Sequence, residues 1–245
     1  MICKLCCCDK KTVKSHIIPE TFFIELNTSG ESSKLISSDP TKYPKKSPIG
    51  PYDERILCND CERKFDAYDD YGIRFIRGLS NNSNYIVLDG SIQGIRETDF
   101  DYKKLKIFFL SVLLRASWSS HDFYSHVSLG VKHEKQLVDL FYRDFSFGLN
   151  DYSVMVFKFD SPPKDIAMLG PRRKRIDGIN CYSFYFGGFH ILIKVCNQNF
   201  PKEILPFLLS PERELIIPVV VNQIWSQVKR QVYILPQLQR VLTRH

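Results

Sequence analysis

Two Cys-x-x-Cys pairs, Cys3-Lys4-Leu5-Cys6 and Cys58-Asn59-Asp60-Cys61, offer four thiolates at the spacing of metal-binding turns. A structural zinc ion takes four ligands in a tetrahedron, and each short turn supplies two of them with little strain. We therefore expect a zinc ion held by Cys3, Cys6, Cys58 and Cys61, with 51 residues inserted between the two pairs. Buried or redox-active thiols are the plainer alternative, and the repetition of the pair argues against it. Cys7 and Cys8 compete with the first pair for register. Cys181 and Cys196 stand in apolar, strand-like runs that suit the core.

Between the pairs lies Ser15-His16-Ile17-Ile18-Pro19, and the second pair runs directly into Glu62, with Asp66 one helical turn later. An imidazole titrates close to neutral pH and can take a proton. Carboxylates four residues apart share a helix face and can hold a hard cation, with Asp69 or Asp70 as further ligands. Taken singly, His16 reads as a brace or a zinc ligand, and Glu62 with Asp66 as a solvated face. The strongest basic run, Arg172-Arg173-Lys174-Arg175, lies between Gly170-Pro171 and Asp177-Gly178. It is expected at an exposed hairpin or loop tip, clamping phosphates or simply solvated. Lys229, Arg230, Arg240, Arg244 and His245 would extend that surface.

These groups need elements to position them. Residues 27–51 are polar and rich in Ser, Thr, Lys and Pro, and predict a long loop. Glu62 to Ile76 predicts a helix, and residues 79–83 a linker. Beyond it, Tyr102 to Ser117 is apolar nearly all round, which predicts a buried helix. His133 to Tyr142 predicts another helix, and Val221 to Tyr233 an amphipathic one. Tyr85 to Leu88, Val154 to Phe159, Cys181 to Phe186, His190 to Val195 and Glu214 to Val220 predict strands, the third and fourth joined through Gly187-Gly188. His121, His126 and His133 lack ligand spacing and are expected near the surface. Trp118 and Trp225 suit the core.

The chain of 245 residues is 44% hydrophobic, enough for a sizeable core, and its net charge of +7 suits a polyanionic partner without requiring one. No signal-peptide pattern opens it, and the most apolar segment is too short to span a bilayer. The expected setting is a reducing cytoplasm, with no membrane partner. No Gly-rich phosphate loop, nucleophile elbow or dinucleotide fingerprint is present, which disfavours nucleotide hydrolysis and serine-hydrolase chemistry.

The order Cys-x-x-Cys, His-Ile-Ile-Pro, then Leu57-Cys58-x-x-Cys61-Glu62 resembles the HNH endonuclease family over roughly residues 1–70. The second half, around residues 110–117, is similar to bacterial proteins carrying the same Ser-His-Ile-Ile-Pro module. The resemblance implies an α+β fold. An N-terminal zinc-knuckle, ββα-metal-like module (residues 1–78) would precede a mixed α/β domain with a buried central helix (residues 84–245) that grips nucleic acid or regulates. It implies metal-dependent cleavage of phosphodiester bonds, in DNA before RNA, with a role in bacterial host defence or mobile elements. His16 would be the general base, Glu62 and Asp66 ligands of magnesium, manganese or another divalent cation, and Asp53 would stand at the family's middle asparagine. The chain departs from the pattern at Ser15, where the family places an aspartate or histidine ligand. The alternative is a catalytically inactive, zinc-stabilised module that binds DNA or a partner protein.

Overall fold

A computed structural model describes residues 1–24, 34–36, 43, 45–80, 84–143, 148–159 and 168–220. In chain order the elements are β1 (Ser15–His16), α1 (Thr21–Ile24), β2 (Lys34–Ile36), β3 (Lys45–Lys46), β4 (Tyr52–Asp53), α2 (Asn59–Ser80), β5 (Tyr85–Leu88), β6 (Ser91–Glu97), α3 (Tyr102–Trp118), α4 (Val131–Asp139), β7 (Val154–Phe159), β8 (Met168–Leu169), β9 (Arg172–Ile176), β10 (Ile179–Phe186), β11 (Phe189–Lys194) and β12 (Leu215–Val220). The chain is thus a mixed α/β protein with four cysteines drawn together near its N-terminus.

A seven-stranded sheet in the order β5-β6-β12-β7-β11-β10-β9 forms the centre. Its neighbours are antiparallel except β12 and β7, which run parallel. Period-two alternation gives the sheet two apolar faces. Tyr182, Phe184 and Phe186 of β10 enter the larger cluster, while Ile179, Cys181 and Tyr185 enter the smaller one with Phe200, Ile204 and Phe207. Gly187 and Gly188 turn β10 into β11 with φ of 60° and 79°, values that glycine adopts freely.

α3 lies in the larger cluster. Asp101 caps its start by accepting from the Lys104 N–H, and the Ser119 N–H closes its end on the Arg115 carbonyl. Every residue from Leu105 to Ala116 is buried, which explains an apolar pattern without helical period. α2 packs along it at a glycine: a Cβ on Gly72 would stand 2.3 Å from the Phe108 ring.

Two sequence expectations need correction. The basic run is not a turn. Residues 172–176 form edge strand β9, paired to β10 from Ile176↔Ile179 to Arg172↔Ser183, and the turn is Asp177-Gly178 with φ of 48° and 83°. Residues 27–51 are not wholly loop. β2 and β3 pair there, and β2 runs parallel to β8 in a second sheet. Described residues of both stretches, 1–78 and 84–220, contribute to one cluster that runs from Cys3 through Phe65 and Phe108 to Ile217. The helix expected at residues 221–233 and the basic residues from Lys229 to His245 lie outside the described residues, as does Trp225. No helix among the described residues is long and apolar enough to cross a membrane.

Candidate functional site

The two cysteine pairs meet because the first knuckle folds back on the start of α2. Cys7 N–H bonds to the Cys3 carbonyl at 2.9 Å, with Cys7 itself at φ 57°, and Ile2 bridges to Asp9. Lys4 N–H reaches the Ile56 carbonyl and Val13 N–H the Leu57 carbonyl, so the second pair is bound to the first before α2 begins. The sulfur atoms of Cys3, Cys6, Cys58 and Cys61 all lie within 4.8 Å of one another. Cys58 N–H also points at the Cys3 sulfur, at 3.4 Å.

Burial alone raises the Cys3 thiol, but the backbone N–H groups of Cys6, Cys58 and Leu5 outweigh it and bring the thiol down to about 7. Burial, then contact with the neighbouring sulfurs, pushes Cys61 upward. Four thiolates this close repel one another unless a cation neutralises them. The donor set therefore fits a tetrahedral metal ion such as zinc. Cys7 and Cys8 are exposed and stand outside the cluster.

Next to the cysteines, β1 pairs antiparallel with β4, Ser15 opposite Asp53 and His16 opposite Tyr52. Adjacent residues of a strand face opposite ways, so Ser15 and His16 serve different surroundings. Ser15 Oγ donates to Glu62 Oε2 at 2.5 Å. Burial raises the Glu62 carboxyl, opposed by the Ser15 bond and the Arg115 charge. Arg115 reaches out of α3 to the same place. Its Nη1 donates to the His16 carbonyl at 2.9 Å, and its two terminal nitrogens grip Asp69.

The His16 ring sits edge-on to Tyr52 with centroids 5.7 Å apart, and its Nε2 lies 3.7 Å from Glu20 Oε2. That nitrogen is buried without a hydrogen bond. Burial lowers the His16 pKa, only partly offset by Glu20. Asp53 does not orient this ring. Its carboxylate accepts from Ser120 N–H at 2.7 Å, Ser120 Oγ at 2.8 Å and Arg55 N–H at 2.9 Å. Burial opposes its ionisation, but these bonds hold its pKa below the usual carboxylate range.

The carboxylates expected to hold a catalytic cation have the following surroundings. Glu62 is committed to Ser15, Asp69 to Arg115, and Asp66 is exposed. Among the described residues, the four cysteines form the group of three or more ligand-type side chains whose donor atoms come together.

On β9, Arg173 and Arg175 are exposed, whereas Arg172 and Lys174 are half-buried on the opposite face. Lys174 donates to the Tyr185 hydroxyl at 3.3 Å, and none of the four basic residues forms an ion pair among the described residues. Sequence reasoning missed Arg115, and Glu20, two positions beyond Ile18. The available signal was the charge of Arg115 within the apolar stretch from Ile107 to Ala116.

No protein-family model, no curated protein and no solved structure matches the chain.

Proposed function

We propose that the chain is a zinc-stabilised nucleic-acid-binding protein, with DNA its favoured partner, built on an HNH-like ββα scaffold that no longer cuts through a bound divalent cation. The observation that carries binding is β9. It places Arg173 and Arg175 side by side on an exposed sheet edge, without carboxylate partners among the described residues. Two further cations stand on its other face. Such an array takes phosphates by releasing their counterions.

The scaffold reading is supported by the order β1, β4, α2, with α2 opening inside the second cysteine pair. Loss of metal-dependent cutting is supported by Ser15 closing on Glu62 and Arg115 closing on Asp69. The test is duplex DNA binding across a salt series by the zinc-loaded chain, wild type against Arg173→Glu/Arg175→Glu. Loss of affinity and of salt slope in the variant supports the reading. Equal, salt-independent behaviour overturns it.

The nuclease reading, which the resemblance puts first, is kept as the second one on one observation. His16 Nε2 makes no hydrogen bond among the described residues, and burial favours its neutral form, the one a general base needs. On that reading Glu20 and Tyr52 must move aside to admit water.

A further inference from the structure

β9 ends the seven-stranded sheet, with β10 on one side and no described strand on the other. Its hydrogen-bond phase follows from the turn beside it. Asp177 and Gly178 both hold positive φ, so Ile176 and Ile179 close the hairpin as the pair that the turn hydrogen bond joins. Bonded and non-bonded pairs alternate along an antiparallel ladder. Lys174↔Cys181 and Arg172↔Ser183 are therefore bonded pairs, and Arg175↔Asn180 and Arg173↔Tyr182 are not. A separate contact agrees with this phase: the Asn180 carbonyl accepts from the Val195 N–H at 2.9 Å, on the β11 side of β10. The N–H and C=O groups of Arg173 and Arg175 thus point outward, along the open edge.

That edge carries one sign of charge on both faces. Alternation sends Arg173 and Arg175 to one face, exposed, and Arg172 and Lys174 to the other, half-buried. An incoming strand meets a cation at four consecutive positions. A second copy of β9 would set like charges opposite one another, which destabilises the pairing. An apolar strand would take the half-buried cations further from water without pairing them. Charge on an edge strand excludes such partners. A strand with acidic residues at consecutive positions complements both faces. The 245 residues hold no three consecutive Asp or Glu, so they do not supply it.

We propose that the outer edge of β9 receives an extended acidic segment of a partner protein, added to the sheet as one more strand. Main-chain bonds to Arg173 and Arg175 set its register, and carboxylates on both faces select it. The inference stands apart from the nucleic-acid reading, because phosphates use the guanidinium groups and not the outward N–H and C=O groups.

The test is fluorescence anisotropy of the zinc-loaded full chain with a labelled, end-capped peptide of about six residues, alternating Glu and Asp. The same peptide with every amide N-methylated keeps its charge and loses its donors. Arg173→Gln removes one charge, and Arg173→Pro removes that charge together with the outward N–H. Proline suits an edge position whose N–H faces solvent, and the melting temperature checks that the variant folds. If it does not, the two peptides decide alone. The expected result is saturable binding of the plain peptide with a Kd of about 1 mM or tighter. Binding should be about tenfold weaker for the methylated peptide, and about tenfold weaker in Arg173→Pro than in Arg173→Gln. Duplex DNA should bind the two variants alike, so a chain that ignores DNA but takes the plain peptide leaves this inference standing. No saturation, equal binding of the two peptides, equal peptide affinity in the two folded variants, or a wild-type dimer in sedimentation that Arg173→Pro dissolves would each overturn the proposal.

Discussion

Arg115 meets Asp69 through both terminal guanidinium nitrogens, Nη1 to Oδ2 at 2.8 Å and Nη2 to Oδ1 at 2.6 Å. This parallel fork joins α3 to α2 with the Arg115 side chain 1% exposed. The same guanidinium holds the His16 carbonyl, so β1, α2 and α3 are fixed by one charged group.

Arg115→Met should therefore cost about 3–5 kcal/mol, because it strands the Asp69 carboxylate in the interior. Arg115→Met/Asp69→Leu should recover part of that loss. Chemical denaturation of the two single variants and the double variant measures the coupling. Strictly additive losses would show that the pair does not act as a unit.

Gly72→Ala should destabilise the chain by about 1–3 kcal/mol although alanine is the better helix former, since its methyl group meets the Phe108 ring. The denaturation midpoint checks this, and a stabilised variant would contradict the close approach of α2 to α3.

The long apolar elements were legible in the sequence, and the pairings between distant segments were not. Residues 102–117 lacked a polar face because α3 is covered all round, so the expected limits differ from the observed ones by one residue. Tyr85–Leu88 and the Gly187-Gly188 turn also emerged where local patterning predicted them. β9 was misread because four consecutive basic residues carry no hydrophobic alternation. Its strand character comes from pairing with β10 after the Asp177-Gly178 turn. β1 and β4 are two residues each, and their pairing joins Ser15 to Asp53 across a long insertion. No local signal marks such a contact. The cysteine spacing announced its cluster, but the partners of Glu62, Asp53 and Asp69 depend on tertiary placement of Ser15, Ser120 and Arg115.

Metal analysis of the purified chain should give one zinc per molecule, retained in Cys7→Ser and Cys8→Ser and lost in Cys58→Ser. Removal by a chelator should lower the melting temperature, because the four cysteines belong to the main core cluster or pack against it. A chelated protein melting like the zinc-loaded one would remove the structural role.

His190 is buried among Phe157, Phe159 and Tyr185, with Nε2 2.8 Å from Ser183 Oγ. Burial, then the Lys174 and Arg172 charges, lowers its pKa well below 6.5. The unfolded chain thus binds a proton that the folded chain refuses. Stability from this group is complete above pH 6.5 and falls as pH drops toward the folded value, by up to about 1.4 kcal/mol per unit. His190→Gln should flatten the stability profile by that amount between pH 6.5 and about 5.5. Parallel profiles would contradict a neutral, buried His190.

The most direct test of the central claim is one gel-shift and cleavage experiment on plasmid and short duplex DNA, with magnesium or manganese. It compares zinc-loaded wild type, His16→Ala and Arg173→Glu/Arg175→Glu. The account predicts salt-sensitive binding by wild type and His16→Ala, weakened binding by the arginine variant, and uncut DNA throughout. Cation-dependent cleavage by wild type that His16→Ala abolishes would contradict it and establish the nuclease reading instead.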